Sequence, residues 1–253
     1  MLTPTRLFLL CGALVHLCAQ ARSQDTFSLL AYDKASGAVV SVGASCIDRA
    51  QIAGGASIIS SVHPGRAVVH TQSIWEASNQ LLADSLVGLG LSAKHVLDQV
   101  LEQDVAGVPG FRQYAVLVIA EGDTTLAAHT GTSCFPWAGH VVGSDYIVAG
   151  NILQDSMVVL RMEAAFLEAR AAGAELATAA LASLAAVAYP GADRRCTSAG
   201  ISSRSAFLRL AYPTDERDDL TLELVIDQVP AGLDPILELQ KQFESSTYTL
   251  PQR

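Results

Sequence analysis

The sequence predicts an α+β protein in which helices cover two largely antiparallel sheets. Three observations support this class. Short apolar runs alternate with turn signals, which is typical of hairpins. Two pairs of helical segments interrupt the strands. The order of strands, helix pair, strands, helix pair and strands fits a four-layer αββα sandwich with the sheets inside. No repeat or Pro/Ser-rich linker divides the 253 residues, so residues 22–253 are expected to form one domain.

The N-terminal segment has the three parts of a secretion signal. Arg6 supplies the positive charge, residues 7–17 are almost wholly apolar, and Ala19-Gln20-Ala21 is a small-x-small cleavage site. The apolar run is shorter than the roughly 20 residues that span a bilayer. We therefore expect residues 1–21 to be removed, with no membrane span, and the mature chain to be exported to the periplasm or the extracellular space.

The first half of the mature chain is predicted to contain four strands and a helix pair. The strands form two hairpins, because turn residues separate them pairwise. Ser92 is a suitable N-cap for the second helix, and Gly90 a suitable stop for the first. The predicted strands are 26–33, 38–45, 56–62 and 66–72, and the predicted helices are 76–89 and 92–103.

The second half repeats this alternation. Gly173 separates two helical segments, and Asp234-Pro235 opens a short C-terminal helix. Antiparallel pairing follows from the short connections between strands. The predicted strands are 113–120, 124–129, 146–149, 205–211 and 220–226, and the predicted helices are 156–171 and 174–188.

Composition excludes several classes of function. The formal charge is −9, and loss of Arg6 with the signal makes it −10. No basic run is present, which argues against a nucleic-acid partner. Gly88-Leu89-Gly90 lies at a helix end and lacks the strand–turn–helix setting of a dinucleotide site, so no cofactor is predicted. Half of the residues are hydrophobic, which makes a homodimer reasonable.

Three cysteines remain after signal removal, namely Cys46, Cys134 and Cys196. An oxidising compartment allows one disulfide and one thiol among them. Spacing alone does not determine the connectivity; Cys46 with Cys196 is the preferred pair. Cys46 as a nucleophile is the alternative, because thiolates react readily. The spacing matches no zinc pattern, so no metal is predicted.

Polar residues at the predicted strand ends are candidates for substrate binding. His70 could relay protons or bind a metal, although no second ligand lies nearby in sequence, and a hydrogen-bonded structural histidine is the alternative. His129, at another strand end, has the same two interpretations. Gln72 closes the same strand as His70. Trp137, in a turn-rich loop, could cover a ligand pocket or fill the end of the sandwich.

Three further candidates follow in the second half of the chain. Asn151 could orient a substrate amide, or it could cap the turn into Asp155-Ser156. Asp193 and Arg195 could together hold a carboxylate ligand by bidentate hydrogen bonds. The alternative is an ion pair within the loop, which would contribute little free energy.

These segments, taken in order, resemble the family called domain of unknown function 1028. The resemblance covers 26 to about 243 and includes the exported branch with Gly-Ala-Ser-Cys-Ile-Asp at 43–48. It implies a fold similar to N-terminal nucleophile hydrolases. The matching pieces are Thr26-Phe27-Ser28 with Asp33, Thr71-Gln72, Arg112-Gln113, Thr130-Gly131 with Cys134 and Trp137-Ala138-Gly139, Gly150-Asn151, Asp193-Arg194-Arg195 and Asp234-Pro235-Ile236.

The resemblance makes Thr26 a candidate nucleophile. An N-terminal threonine attacks with its hydroxyl while its own α-amine takes the proton. Ser45 is the accompanying catalytic candidate, because backbone N–H groups of 43–45 could form an oxyanion hole. Gly131 is an alternative donor. Thr26 could instead be an ordinary β-branched strand residue.

Two features argue against catalysis. Signal cleavage leaves residues ahead of Thr26, so a second cut is required. The acid on the second strand and the lysine after it, which proteasome-like members use, are replaced here by Gly43, Ala44 and a stretch without lysine from 35 to 93. Two hypotheses remain: an exported amidohydrolase that cleaves a small amide or peptide-like bond, and a non-catalytic module that binds a ligand or partner.

Overall fold

The computed structural model describes residues 23–24, 26–120 and 123–246. The predicted signal peptide, 1–21, lies outside the described residues. The strands are β1 Ser23–Gln24, β2 Thr26–Asp33, β3 Ala38–Ser45, β4 Ser60–His63, β5 Ala67–Ile74, β6 Arg112–Ala120, β7 Asp123–Thr130, β8 Gly139–Val142, β9 Tyr146–Gly150, β10 Ser205–Ala211 and β11 Leu222–Ile226. The α-helices are α1 Ala77–Gly88, α2 Ala93–Glu102, α3 Met157–Ala171, α4 Leu176–Ala185 and α5 Pro235–Ser245.

The strands form two antiparallel sheets. The first, sheet A, has the order β1-β5-β6-β7, with β4 also paired to β5. The second, sheet B, has the order β11-β10-β3-β2-β9-β8. The hairpin of β2 and β3 lies at its centre, with Thr26 opposite Ser45 and Asp33 opposite Ala38. The protein is therefore a mixed α+β structure with two antiparallel sheets, as the sequence predicts.

The apolar residues form three main clusters, one on the outer face of each sheet and one between the sheets. Helices α1 and α2 cover sheet A through residues such as Val96 and Val100, which pack on Val69 and Val116. Helices α3, α4 and α5 cover sheet B. Leu30 of β2 and Leu117 of β6 belong to the cluster that joins the facing sides of the two sheets.

Local sequence signals explain most boundaries. Ser92 caps α2 by accepting a hydrogen bond from the His95 amide. Gly90 follows α1 with a φ of +73°, a conformation that favours glycine. Asp234 caps α5 at the Ile236 amide. No helix among the described residues is long and apolar enough to cross a membrane.

Two sequence predictions were wrong in detail. The predicted strand 56–62 begins as a 3₁₀ turn, Gly55–Ile59, and only Ser60–His63 is extended. The Ala56 amide there donates to Ser205 Oγ at 2.9 Å, and the chain turns before it reaches β5. Strand β8 was missed. Its four residues are too few to show an alternating pattern, and pairing with β9 holds it extended.

Candidate functional site

The layer between the two sheets is apolar at one end and polar at the other. Inward-facing residues of β2 change from Tyr32 and Leu30 to Ser28 and Thr26 toward its N-terminus. On β5 the inward residues likewise change from Val68 to His70 and Gln72. All four polar side chains are at most 1% exposed. Buried polar groups require hydrogen-bond partners, and this end of the layer is where they are found.

His70 connects the two sheets. Its Nδ1 lies 3.0 Å from Ser28 Oγ, and its Nε2 lies 2.6 Å from Ser41 Oγ. Ser28 donates its own proton to Gln72 Oε1 at 2.8 Å. Nδ1 must therefore be the donor to Ser28, and Nε2 the acceptor from Ser41. The oxygen of Ser41 then accepts from Ser60, 2.7 Å away, and the chain of donors runs in one direction.

Burial keeps His70 neutral. Desolvation, with a further contribution from the charge of Arg209, lowers the pKa of His70 from 6.5 to about 3. A neutral ring has one donor and one acceptor nitrogen, which agrees with the two serine contacts. The histidine is thus fully hydrogen bonded. A surface pocket of about 290 Å³, lined in part by Ser60 and Arg209, opens at the Ser60 end of this chain.

Gln113 of β6 joins the next part of the polar layer. Its Oε1 accepts from Gln72 Nε2 at 2.6 Å and from Asn151 Nδ2 at 2.9 Å. Its Nε2 lies 2.8 Å from Thr130 Oγ1 and 2.9 Å from the Gly150 carbonyl. In the sequence, Gln113 stands out only as part of the Arg112-Gln113 segment that resembles the family. From the sequence alone, one cannot tell that a glutamine in a strand faces inward, because this depends on the position of the second sheet.

Asn151 contributes an unsatisfied acceptor. Its Oδ1 is buried and has no hydrogen-bond partner among the described residues. Its main-chain N–H donates to the Thr26 carbonyl at 3.1 Å. Asn151 Oδ1 does not cap the turn into Asp155-Ser156; the Met157 amide at the start of α3 donates to Asp155 Oδ1 instead. Asn151 therefore lies against Thr26 with one oxygen available for a further donor.

Backbone strain marks the same place. Among the described residues, the non-glycine residues with positive φ are Ser73, at +74°, and Ile152, at +50°. Each directly follows an amide of the network, Gln72 or Asn151. This conformation is unfavourable for a β-branched residue such as isoleucine. Such strain clusters at functional sites, where the surroundings enforce it.

Thr26 opens β2 at the polar end of the layer and is fully buried. Gln72 Nε2 approaches its carbonyl at 3.4 Å, in addition to the Asn151 amide. The chain before it belongs to the other sheet, because Ser23 and Gln24 pair with Ile74 and Ser73. The described residues on the two sides of position 25 therefore belong to different sheets.

Ser45 lies opposite Thr26 and connects it to the Asp193 loop. Arg195 Nη2 lies 3.4 Å from Ser45 Oγ. The same guanidinium donates to Asp193 through Nε, at 3.0 Å, and through Nη2, at 2.6 Å. Asp193 is fully buried and also accepts the Cys46 amide at 2.8 Å. Asp193 and Arg195 form an ion pair with each other. The guanidinium of Arg195 therefore lies beside Ser45, which is paired with Thr26.

A disulfide joins Cys46 to Cys196, the preferred pair, with 5.7 Å between their Cα atoms. It attaches the end of β3 to the loop that holds Asp193. Cys134 retains its thiol and lies 3.3 Å from the Arg112 carbonyl. In this structure Cys46 is in a disulfide and cannot serve as the alternative nucleophile.

The backbone amides suggested for an oxyanion hole are already used. Strand β3 is paired on one side with β2 and on the other with β10, so the amides of 43–45 belong to the sheet. The Gly131 amide donates to the Arg112 carbonyl at 2.9 Å. An oxyanion at Thr26 would therefore need other donors.

Trp137 packs against the apolar cluster that α3 and α4 share with sheet B. It exchanges backbone hydrogen bonds with Leu153, and Leu153 in turn bridges to Asp193. The partly buried ring therefore contributes to the apolar packing on the outer face of sheet B. His129 lies apart from the network and contacts the Pro109 carbonyl through Nε2 at 3.1 Å. No cluster of three or more His, Cys, Asp or Glu side chains suited to a metal occurs within the described ranges.

A second polar cluster lies on the other face of sheet A. Arg112 is 1% exposed and binds Asp104 through Nε at 2.6 Å and Nη2 at 3.1 Å. Burial alone would raise the pKa of Asp104, but hydrogen bonds from Arg112, the Val108 amide and Asn79 lower it to about 2. Asp104 does not stand out in the sequence, since an aspartate just after a helix is usually a surface residue.

The comparisons with known proteins agree with this architecture. The model of a family of unknown function, DUF1028, matches residues 26–239, and the chain belongs to that family. The crystal structure of protein SPO2555 from Silicibacter pomeroyi, assigned to DUF1028, is similar with a TM-score of 0.67. The identity is 22% over 88% of this chain and 91% of that chain, which indicates a shared fold. No curated protein matches.

Proposed function

We propose that the protein is an exported amidohydrolase of the N-terminal nucleophile type, with a four-layer αββα fold and Thr26 as the nucleophile. One observation carries the proposal. Thr26 begins one of the two central strands of sheet B at the polar end of the layer between the sheets, where Gln72 and Asn151 contact its carbonyl. The strained residues Ser73 and Ile152 flank the same point.

The preceding chain supplies a reason for a second cut. Ser23 and Gln24 are held by β5 of sheet A, whereas Thr26 is held by Ser45 of β3 and by the amide of Asn151, which follows β9 of sheet B. Hydrolysis of the bond between Asp25 and Thr26 would leave both ends attached to different sheets. It would also give Thr26 the free α-amine that an N-terminal nucleophile requires.

The proposed chemistry uses the residues around Thr26. The hydroxyl oxygen attacks the carbonyl carbon of an amide, and the α-amine takes the hydroxyl proton. The C–N bond then breaks, the proton passes to the leaving nitrogen, and water hydrolyses the ester on Thr26. Arg195, beside Ser45, supplies positive charge for the oxyanion. The unsatisfied Asn151 Oδ1 accepts an N–H of the substrate amide or of the α-amine.

The exported location rests on the N-terminal sequence and on the disulfide. Disulfides persist in oxidising compartments. A bond between Cys46 and Cys196 is therefore what an exported chain would contain. The substrate is a small amide or peptide-like molecule, since an acyl-enzyme on threonine is suited to C–N bond hydrolysis.

Intact mass and N-terminal sequencing of the exported protein test the proposal directly. We expect the chain to begin at Thr26, and a β-lactone electrophile to add its mass to the peptide that contains Thr26. Thr26→Ala should abolish labelling. Thr71→Ala is the matched control, because Thr71 is also buried in a strand but pairs with Tyr114, outside the network. A chain that stably retains residues before Thr26 would contradict the proposal.

The second candidate function is a non-catalytic module that binds a ligand or partner. Full burial of Thr26 in the chain as described favours it. So does the extensive pairing of Asp193 and Arg195 with each other. For such a module, Thr26→Ala should leave folding and ligand binding unchanged. If Thr26→Ala instead abolishes a measured hydrolysis while the fold is retained, the non-catalytic module is excluded.

A further inference from the structure

Helix α3 presents an unusual outer face. A helix on the surface of a globular protein normally turns polar residues to solvent. Here Met157 and Leu160 are each 43% exposed and Leu167 is 44% exposed, although the opposite face of the helix is packed on sheet B. Ala164 and Ala171 are exposed between and beyond them. The helix is therefore apolar on two faces.

The exposed apolar residues follow a heptad pattern. Their positions, 157, 160, 164, 167 and 171, are separated by three, four, three and four residues. This spacing is that of the seam where two helices pack side by side. Alanine at 164 and 171 permits a close approach of the partner, near the short end of the usual 8–10 Å between packed helix axes. These five residues form an apolar stripe that runs along the whole 15-residue helix, over roughly 22 Å.

The charges beside the stripe select the partner and its direction. Arg161 and Glu168 border the seam on one side, and both are exposed. When a second copy packs antiparallel, Arg161 of each subunit faces the partner's Glu168, so the interaction occurs twice. A parallel pair would place Glu163 opposite the partner's Glu168, and like charges at these positions disfavour pairing.

On the other side of the seam, Glu163 and Arg170 are held in place by contacts within the subunit. Glu163 accepts a hydrogen bond from Tyr146 at 2.7 Å, and Arg170 pairs with Asp33 at 3.1 Å. Arg161 lies over the Tyr189 ring, 5.4 Å from its centroid, and keeps its charge at the edge of the stripe. The helix therefore offers a rigid surface that is complementary to itself.

We propose that the protein forms a two-fold symmetric homodimer in which α3 packs antiparallel against α3 of the second copy. The seam consists of Met157, Leu160, Ala164, Leu167 and Ala171, bordered by the two Arg161–Glu168 pairs. A symmetric surface of this kind makes a closed dimer rather than an open chain of subunits. The proposal is independent of Thr26 and of any catalysis.

Sedimentation equilibrium of the purified protein over a wide concentration range tests the dimer. Leu160→Glu places two negative charges in the seam and should raise the dimer dissociation constant about thirtyfold, which corresponds to about 2 kcal/mol. Leu81→Glu is the matched control, because Leu81 is 64% exposed on α1 and lies away from the stripe. It should leave the dissociation constant unchanged. Circular dichroism verifies that both variants fold.

A charge exchange tests the direction of packing without altering the apolar seam. Arg161→Glu alone should weaken the dimer, and addition of Glu168→Arg should restore it. A wild-type protein that is monomeric at all concentrations would overturn the proposal, as would a dimer that survives Leu160→Glu. If the double exchange does not restore the dimer, the antiparallel pairing is ruled out. If the protein is monomeric and another molecule binds to these residues of α3, the homodimer proposal is wrong and that molecule is the partner.

Discussion

His70 of sheet A donates to Ser28 of sheet B across 3.0 Å, and this hydrogen bond ties the two sheets together at the polar end of their shared layer. The ring is fully buried and both nitrogens have partners. A second proton would turn Nε2 from an acceptor into a donor facing the Ser41 hydroxyl, which now donates to it. The bond therefore depends on the neutral ring.

The first prediction concerns acid stability. The pKa of His70 is about 3 in the folded protein and near 6.5 in the unfolded chain. Between these values the unfolded state binds more protons, so the free energy of unfolding falls as the pH is lowered below about 6.5. The expected loss is up to about 1.4 kcal/mol per pH unit.

Urea unfolding from pH 7 to pH 4 measures this slope. His70→Gln, which offers one donor and one acceptor without a titrating group, should flatten it. His95→Gln, on the exposed face of α2, should retain the wild-type slope. Equal slopes for wild type and His70→Gln would show that another group is responsible.

The second prediction concerns Gln113. Gln113→Leu removes the acceptor of two buried amides and the donor to Gly150, so several buried polar groups lose partners. Each unsatisfied group costs about 1–3 kcal/mol, and a total loss of about 3 kcal/mol is expected. The exposed Gln99→Leu is the control and should cost under about 0.5 kcal/mol. The midpoints of urea unfolding measure the loss of stability in both variants. Equal losses would mean that the hydrogen bonds of Gln113 in the polar layer do not stabilise the protein.

The third prediction concerns the buried ion pair under α1 and α2. Arg112→Met leaves Asp104 buried without its cation and should destabilise the protein by about 3–5 kcal/mol. The double variant with Asp104→Asn should recover a large part of this, because the uncompensated charge is gone. Lys94→Ala, in the exposed pair with Asp98, should cost only about 0.3–0.5 kcal/mol. If the double variant is no more stable than Arg112→Met, the charge is not the cause.

The fourth prediction concerns the disulfide. Cys46 and Cys196 are 150 residues apart, so their bond restricts the unfolded chain strongly. Replacing both by alanine should lower the free energy of unfolding by up to about 5 kcal/mol on the loop-entropy estimate. Cys134→Ala removes a buried thiol outside the bond and should cost much less. Denaturation with and without reductant provides the measurement; insensitivity of the wild type to reductant would contradict the prediction.

The sequence predicted the mixed α+β class and its antiparallel strands because the signals for them are local. The apolar periods of β2 and β3, the Ser92 cap and the turn at Gly37 are each contained in a few neighbouring residues. The start of strand β4 was predicted too early. The positive φ angles of Gly54 and Gly55, +87° and +54°, permit a turn there, but the apolar residues that follow them resemble a strand.

The site was predicted only in part, for a different reason. His70, Gln72 and Asn151 stand out because they end strands, and the structure places all three around one layer. Gln113 and Ser28 do not stand out. Whether such a side chain faces solvent or a second sheet depends on pairing between distant segments, and one sequence does not contain that information.

The strand order of sheet B has a consequence for how the chain matures. The β2–β3 hairpin is made first, yet its two neighbours, β9 and β10, lie more than 100 residues later, as the pairs Phe27–Gly150 and Phe207–Gly43 show. Until they arrive, both edges of an apolar hairpin remain open to pairing with other chains. Contacts this distant in sequence also form slowly. A chain that stops before Ser205 should therefore aggregate, and a protein of this topology needs its β2–β3 hairpin kept away from other chains until β9 and β10 can pair with it.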